Sequence, residues 1–373
     1  MFAKFFRMPT IVNGVWSSFS DDFLFAANKI AEYEYTKRFV RPGDFSMVLP
    51  FDEGTLKKLM LNGIIYFDSD WLWIQNLSYD GRRIELSGKD CKGFLDTRVT
   101  LFNFDEEIPG TQGYDVAEGT TQACMRHYVE NNAVYGICQA GRELPIVNFS
   151  GDIGLSSDSY MARLEYLSDI AAKMCENAGI GYDVQGILRD RGFRMTTIKG
   201  VNRGFLQSDR PRVIFSARRR NVISQQFEHG VDDLYNVVYG VDSNEDVGAA
   251  YRDGITSDVG LKRRECTTSI SEVTIADPMF EKYALNAISD NVESHSCTTD
   301  AAVISGYGSK YNIGDIVAVQ DIFTKNIEDV QITEVTKSCR QGQQSLSLTF
   351  GTPKQKPLQK IVNDFLSGTA RRR

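Results

Sequence analysis

The chain has 373 residues, of which 42% are hydrophobic and 24% are charged. This composition predicts two or three packed domains and excludes a disordered, collagen-like or coiled-coil protein. Lys and Arg number 42 against 49 Asp and Glu, giving a formal net charge of -7. Because that sign opposes attraction to phosphates, we predict no specific nucleic acid binding.

The apolar runs are too short to cross a bilayer. Ile64–Phe67 and Trp71–Ile74 are separated by Asp68 and Asp70, whereas a membrane-spanning helix needs about 20 apolar residues. We therefore predict no membrane span. The N-terminus lacks a signal-peptide pattern and is interpreted as mature sequence. Seven widely spaced cysteines without a C-x-x-C pair predict folding in a reducing compartment; they are Cys91, Cys124, Cys138, Cys175, Cys266, Cys297 and Cys339.

The first hundred residues have the patterns of β-hairpins. Pro42-Gly43 is a turn signal before the β-rich run Phe45–Leu49. Asp80-Gly81, a strong tight-turn dipeptide, separates two further strand candidates, 71–77 and 83–87. A short helix is predicted from Thr55 to Met60.

The pattern changes between residues 111 and 204. Thr120 or Thr121 is a candidate cap for a first helix, which is predicted to end near Asn131-Asn132. Apolar residues at three- and four-residue spacing predict a second helix from Tyr160 to Ala178, just before Gly179. A strand entered directly from that helix is predicted at Gly179–Val184. This region is therefore interpreted as an inserted α/β domain.

Strands return after residue 205. They are predicted at 213–215, 233–240, 315–320, 330–336 and 345–350. The polar stretch that follows Gly240, through Ser257, is interpreted as a loop. A helix is predicted from Pro278 to Asn291, with Asp277 as its cap.

Two hairpins in the chain resemble each other. Ile74–Ser78 followed by Ile84–Gly88 parallels Ile332–Thr336 followed by Ser345–Gly351. Each second strand is expected to end at glycine. Chance similarity and a true internal repeat both remain open at this point.

No residue pattern predicts a metal or cofactor site. Cys124 and His127 lie three apart on a predicted helix, and His295 and Cys297 lie in a polar segment. Neither pair has a partner at zinc-site spacing, so a buried cysteine beside a surface histidine is the favoured interpretation. We therefore name no metal-binding and no cofactor-binding residue.

Clusters of like charge offer the remaining candidates. The acidic clusters, which would have to supply a carboxylate pair for glycoside hydrolysis, are Asp21-Asp22, Asp105-Glu106-Glu107 and Asp232-Asp233. Solvated turns are the favoured interpretation. The basic triplets are Arg218-Arg219-Arg220, Lys262-Arg263-Arg264 and Arg371-Arg372-Arg373. Pairing with acids across a subunit contact is favoured over phosphate binding.

Taken in order, short segments along the chain resemble one known protein family. They are Gly43–Phe45, Leu49-Pro50, Leu86–Lys89, Phe94–Arg98, Glu118–Thr120, Cys175–Tyr182, Val213–Ser216, Asn236–Tyr239, Tyr311–Val317, Ile332–Val335 and Leu348–Gly351. Their order and spacing over about 300 residues resemble the baseplate hub proteins at the tail tip of siphophages. That family is the N-terminal structural part of tail-associated lysins and is related to the hubs of contractile tails.

The resemblance implies an α+β, β-rich fold made of two related, tube-like β-barrel domains. They are expected at residues 1–110 and 205–352, the second with a helical insertion around 250–300. The inserted α/β domain lies between them at 111–204, and 353–373 forms a C-terminal helix and basic tail.

The resemblance also implies a function. The chain is expected to be a structural, non-enzymatic hub in the virion tail tip, assembled in the host cytoplasm as a homotrimer. The ring would join a six-fold tail to the tip and provide or close the channel for DNA ejection. The implied partners are a distal tail protein ring, the C-terminus of the tape-measure protein and tail fibres or receptor-binding proteins. A peptidoglycan hydrolase using a carboxylate pair is the alternative, and we name no catalytic residue.

Overall fold

A computed structural model describes residues 2–12, 14–101, 115–135, 141–150, 157–187, 191–232, 234–270, 273–288, 291, 293–301 and 306–352. It is rich in strands with few helices, which confirms the predicted α+β, β-rich class. The helices are α1 (Glu53–Leu56), α2 (Thr121–Val129), α3 (Leu167–Ala178) and α4 (Phe280–Asn286).

The strands follow one another along the whole chain. The first twelve are β1 (Ala3–Phe6), β2 (Ile11–Val12), β3 (Val15–Trp16), β4 (Phe23–Ala27), β5 (Glu32–Arg38), β6 (Asp44–Pro50), β7 (Ile64–Phe67), β8 (Asp70–Tyr79), β9 (Arg83–Asp90), β10 (Asp115–Thr120), β11 (Ile146–Ser150) and β12 (Ser157–Ala162). The others are β13 (Gly181–Gly186), β14 (Phe193–Ile198), β15 (Asn202–Arg203), β16 (Ile214–Phe215), β17 (Val222–Gly230), β18 (Val237–Val241), β19 (Val247–Tyr251), β20 (Glu265–Ser269), β21 (Ser294–Ala301), β22 (Ile316–Gln320), β23 (Ile327–Arg340) and β24 (Gln343–Thr352).

The chain divides into two compact units. The larger comprises Met1–Gln225 and Thr298–Phe350, and the smaller comprises Gln226–Cys297 and Gly351–Arg373. One large sheet has the strand order β17-β21-β24-β23-β5-β6-β9-β8-β7-β1-β4, and β22 pairs with β23 beside that path.

The first half of strand β8, residues 70–74, is buried on both of its faces, which explains its apolar run from Trp71 to Ile74. Trp71 and Trp73 face one core, where the Trp71 ring lies 4.5 Å from the Phe19 ring between centroids. Leu72 and Ile74 face the opposite core. Since side chains alternate along a strand, an unbroken apolar run is expected where both faces are covered. Strand β8 thus separates the two cores of the larger unit.

The large sheet contains the same five-strand arrangement twice. The order β7-β8-β9-β6-β5 in the first half matches β22-β23-β24-β21-β17 in the second. The equivalent strands also follow one another in the same order along the chain. The two hairpins that resemble each other in sequence, β8–β9 and β23–β24, occupy equivalent places. The duplication therefore extends beyond two similar hairpins.

A β-bulge falls at the same point in both hairpins. The register shifts between Ile74 and Asn76 in β8 and between Ile332 and Glu334 in β23. These are the positions that the sequence comparison aligns, and a bulge re-aims the strand that carries it. Chance similarity would not be expected to place an irregularity at the same position in both copies.

The expectation that each second strand ends at glycine is wrong. Gly88 lies inside β9, which continues to Asp90, and β24 continues past Gly351 to Thr352. Gly88 is needed for close approach instead, because a Cβ atom there would lie 2.0 Å from the Trp73 carbonyl oxygen.

The smaller unit is a three-stranded sheet covered by a helix. Strand β18 pairs antiparallel with β19 and parallel with β20. Phe280, Ala284 and Ile288 pack with Val238, Ala250 and Ile270 in one core. The Phe280 ring fits closely because Gly240, in β18, has no side chain; a Cβ atom there would lie 2.8 Å from the ring.

Several predicted boundaries were wrong. The helix predicted from Tyr160 begins at Leu167, because 157–162 form β12, which pairs with β10. The loop predicted through Ser257 contains β19. Local periodicity does not reveal β12, because its partner β10 is distant in sequence. It does not reveal β19, because that strand has only five residues.

Other helices are shorter than predicted. Helix α1 spans Glu53–Leu56, not Thr55 to Met60, since Asp52 accepts a hydrogen bond from the Thr55 amide and begins it earlier. Helix α4 is confined to Phe280–Asn286, and Asp277 accepts a bond from the Met279 amide before it starts. Thr120 caps α2 as predicted, accepting from the Ala123 amide.

Parts of the prediction concern residues outside the described ranges, including the C-terminal segment 353–373. The predicted domain boundaries stay predictions. Across the described ranges, no helix is long and apolar enough to cross a membrane.

Candidate functional site

The most elaborate polar site is a buried charge cluster where three strands meet. Lys37, in β5, places its Nζ atom 2.6 Å from Asp70 Oδ1 and 2.7 Å from Asp183 Oδ2. Asp70 begins β8, and Asp183 lies in β13 of the segment between the two sheet halves. We call these residues, with Asp90 and Lys92, the Lys37 cluster.

Hydrogen bonds allow the cluster to remain charged inside the protein. Gln185 Nε2 donates to Asp183 Oδ2 at 2.7 Å, and the Val184 amide donates to Asp183 Oδ1 at 2.9 Å. Burial by itself lowers the pKa of Lys37, but the charges and hydrogen bonds of Asp183 and Asp70 outweigh it and raise that pKa well above its usual value. Burial likewise raises the pKa of Asp183, yet Lys37 and Lys92 lower it overall.

The second half of the cluster is less well neutralised. Lys92 is fully buried; its Nζ atom donates to the Arg38 carbonyl oxygen at 2.5 Å and lies 3.8 Å from Asp90 Oδ2. Burial raises the pKa of Asp90 to about 6, against the opposing charge of Lys92. Burial also lowers the pKa of Lys92. Asp90 Oδ2 has no hydrogen-bond partner in the described part of the chain.

The geometry suits a structural connection better than chemistry on a bound molecule. Lys37 is the common partner of carboxylates from β8 and β13, 113 residues apart in sequence. Its side chain is only 15% exposed, so the pair it neutralises is closed to a polymeric substrate. The cluster fixes β13 against the large sheet of the larger unit.

The histidines of the two pairs considered for metal binding contact other side chains in the structure. His127 Nε2 lies 2.6 Å from Asp115 Oδ1, and this hydrogen bond raises the pKa of His127 against the effect of burial. Cys124 is fully buried. In the second pair, Cys297 is buried, and the His295 ring contacts the His229 ring at 4.2 Å between centroids. The described residues contain no group of three or more His, Cys, Asp or Glu side chains placed for a metal.

Of the acidic candidates, Asp21 and Asp22 stabilise a turn. Asp22 accepts a 2.5 Å hydrogen bond from Ser17 Oγ, and Asp21 accepts one from Ser18 Oγ at 2.6 Å. Burial raises the pKa of Asp22, against the Ser17 hydrogen bond. Asp105-Glu106-Glu107 and Asp233 fall outside the described residues.

The basic triplets differ from one another. Arg218-Arg219-Arg220 is exposed in a short 3₁₀ turn that Ser216 caps. Arg263 has its acidic partner in the same chain: its Nε atom lies 2.5 Å from Glu265 Oε1. The expected pairing across a subunit contact is therefore not needed for Arg263. Arg371-Arg372-Arg373 falls outside the described residues.

Sequence reasoning missed the Lys37 cluster. Lys37 follows two tyrosines in a strand, and Asp70 precedes two tryptophans, but no motif links them. The only available signal was the alternation in β5. Lys37 lies two residues after Tyr35 and four after Tyr33, so it shares a strand face with these two aromatic residues, which are buried.

Residues 26–352 match the model of one protein family, described as Siphovirus ReqiPepy6 Gp37-like protein. The chain belongs to this family. No curated protein matches the sequence of this Gp37-like protein.

Solved structures of tail proteins share the fold of this Gp37-like protein. The 43 kDa tail protein of prophage MuSo2 from Shewanella oneidensis aligns with a TM-score of 0.52 at 12% identity, over 95% of this chain and 99% of that one. Prophage tail protein gp18 from Listeria monocytogenes EGD-e gives 0.50 at 10% identity, over 98% and 99%. A tail protein from Neisseria meningitidis MC58 gives 0.52 at 12% identity, over 94% and 96%. The predicted resemblance is confirmed at the level of family and fold: the chain belongs to a siphovirus protein family, and its fold is shared with solved phage tail proteins.

Proposed function

We propose that three copies of this Gp37-like protein form a ring at the tail tip. The observation that carries the proposal is the duplicated strand order, β7-β8-β9-β6-β5 and β22-β23-β24-β21-β17, with the bulge at the same point in each. Each chain thereby brings two equivalent sheet elements. Three chains bring six, so a three-fold ring presents six similar surfaces to a six-fold tail.

The ring is a junction between assemblies of different symmetry. The partners that fit this position are a distal tail protein ring on one side, the C-terminus of the tape-measure protein in the lumen, and fibres or receptor-binding proteins around the tip. The protein then resides in the virion tail and is assembled beforehand in the host cytoplasm.

The charge of the protein suits a channel that DNA traverses without adhering. Three chains carry a formal charge of -21, three times -7. Where those charges line the lumen they repel the phosphate backbone. The ring accordingly provides or closes the path for DNA ejection. A basic lumen in an assembled particle would contradict this role.

A structural role is favoured over peptidoglycan hydrolysis. Asp70 and Asp183, the carboxylates that share Lys37, are buried. A glycosidase needs two carboxylates on either side of an accessible bond. We expect no turnover of purified peptidoglycan by the isolated chain. Turnover that one Asp or Glu substitution abolishes would establish the enzyme instead.

The mass of the purified protein tests the ring directly. One chain weighs 41.9 kDa, so the trimer is expected near three times that value in native mass spectrometry or light scattering. A species that stays at the mass of one chain across the accessible concentration range would overturn the proposal.

A further inference from the structure

The duplication places two pairs of strands in equivalent positions, and only one pair meets within the chain. Strand β5 pairs antiparallel with β23, from Tyr33 opposite Cys339 to Arg38 opposite Glu334. By the repeated order, β17 is the equivalent of β5, and β8 is the equivalent of β23. Strands β17 and β8 do not pair with each other in this chain.

Both of these strands offer an edge. Strand β17 is the last strand of the sheet order, and its Ile223 side chain is 74% exposed. Strand β7 covers only Asp70–Trp73 of β8. Beyond the bulge, the segment 76–79 pairs with β9 on one side, and the described residues supply no strand for its other side. Tyr79 in that segment is 60% exposed.

We infer that β17 of one copy pairs antiparallel with residues 76–79 of β8 in a second copy. This inference rests on the proposed ring and identifies its junction: the contact between copies repeats the β5–β23 contact found inside each chain. The contact is head-to-tail, since the two strands are different, and such contacts close into a ring when the rotation fits. It also covers two strand edges that would otherwise favour aggregation.

The internal junction predicts the register of the contact between copies. The aligned bulges make Tyr79 the equivalent of Lys337, and Lys337 lies opposite Tyr35 in β5. The alternation of buried side chains relates β17 to β5. Tyr33 and Tyr35 are buried in β5, and Gln225 is buried and Phe227 half-buried in β17. Gln225 is therefore taken as the equivalent of Tyr33, and Phe227 as the equivalent of Tyr35.

Phe227 is therefore expected opposite Tyr79 of the neighbouring copy, and Glu228 opposite its Ser78. An aromatic pair directly across two strands is favourable, and no like charges face each other at these two positions.

Cysteine cross-linking tests this register. The double variant Phe227→Cys with Tyr79→Cys is expected to give covalent dimers and trimers on a non-reducing gel after mild oxidation. Each single variant is expected to give neither, because a head-to-tail contact does not bring identical positions together. The single variants also report any cross-link formed by the native cysteines.

An offset pair provides the matched control. Ile223→Cys with Tyr79→Cys moves one cysteine four residues along β17, roughly 13 Å, which is too far for a disulfide. If Phe227→Cys disturbs folding, Glu228→Cys with Ser78→Cys tests the same register from the other face of the sheet.

The outcomes separate this inference from the proposed ring. A trimeric wild-type protein in which neither matched pair cross-links overturns the β17–β8 junction and leaves the ring standing. A wild-type protein of single-chain mass overturns both. Cross-linking of a matched pair, absent from the offset pair and the single variants, supports the junction.

Discussion

At the scale of single residues, the Lys37 cluster shows how a charged group is accommodated inside a β-rich protein. Desolvation penalises each charge, and only the close contacts of Lys37 with Asp70 and Asp183 offset it. The energetic consequence is asymmetric. Removing one partner leaves buried charges unpaired, so individual substitutions are expected to be costly even though the intact cluster contributes little net stability.

Replacing the shared cation is expected to destabilise the larger unit strongly. Lys37→Met leaves Asp70 and Asp183 buried without their counter-charge, which costs about 3–5 kcal/mol of unfolding free energy. Urea denaturation measures this. The matched control is Lys57→Met, since Lys57 pairs with Glu53 on the surface with both side chains 72% exposed, and its effect is expected below about 0.5 kcal/mol. Similar losses in the two variants would contradict the assignment.

Asp90 is expected to make the protein less stable as pH rises from 5 to 8. Its pKa is raised by burial from 3.8 to about 6, so the folded state holds the proton more tightly than the unfolded chain. The resulting stability is fully present below pH 3.8 and is lost as pH rises through 6. This amounts to about 1 kcal/mol between pH 5 and pH 8.

The variant Asp90→Asn isolates that effect because it is neutral at both pH values. Urea unfolding at pH 5 and pH 8 gives, for the wild type and for the variant, the change in unfolding free energy between the two pH values. This change is expected to be smaller for Asp90→Asn by about 1 kcal/mol. The comparison removes the contribution of His127, whose raised pKa acts in both proteins alike. Equal differences would show that Asp90 does not titrate in this range.

At the scale of elements, the repeated hairpin is the unit from which the large sheet is built. In the first hairpin, β8 pairs with β7 before the bulge and extends beyond β7 after it. In the second hairpin, β23 pairs with β22 before the bulge and with β5 after it. Each hairpin thus pairs with one neighbour before the bulge and offers its edge after it. In β23 that edge receives β5.

The first bulge depends on a glycine in the opposite strand. Gly88→Ala puts a Cβ atom within 2.0 Å of the Trp73 carbonyl oxygen and 2.9 Å of the Gln75 amide nitrogen. We expect a loss of about 1–3 kcal/mol, the usual cost of overpacking. Gly81→Ala, in the turn of the same hairpin, has no atom within 4 Å of its new Cβ atom and is expected to be nearly neutral. Thermal unfolding of the two variants measures both effects, and equal losses of stability would contradict the close approach at Gly88.

At the scale of the whole molecule, the two compact units have separate cores. The smaller unit packs α4 against β18–β20, and the larger unit contains the two cores divided by β8. In chain order, residues 226–297 of the smaller unit run from within β17 to within β21, whereas the equivalent strands in the first half, β5 and β6, are joined by only five residues.

Calorimetry is expected to resolve two unfolding transitions. Phe280→Ala removes a core side chain of the smaller unit and is expected to lower the melting temperature of one transition, through a loss of about 3–5 kcal/mol. Phe193→Ala is the reciprocal variant: Phe193 is fully buried in the larger unit, so it should lower the other transition alone. A single transition that both variants shift equally would mean that the units unfold together.

Local patterns were sufficient wherever the physical cause was local. Asp80-Gly81 predicts its hairpin because the Asp80 carboxylate accepts hydrogen bonds from amides of the turn, those of Arg82 and Arg83, and Thr120 predicts the start of α2 because a hydroxyl satisfies a free amide. The segment 160–166 misled the same reasoning. Its apolar spacing fits a helix, but pairing with β10 holds 157–162 as a strand, and partner residues 37 to 47 positions away leave no periodic signal.

The sequence by itself determined the class of the protein, the positions of nine of its strands, the similarity of two hairpins and the family resemblance. These follow from residue order, and turn chemistry and side-chain alternation act over a few residues. Only the tertiary structure decided that the duplication extends to five strands per half, that Lys37 meets two distant aspartates, and that β5 joins β23. Those contacts join residues as much as 306 positions apart, where pairing depends on burial and strand register and not on any local pattern.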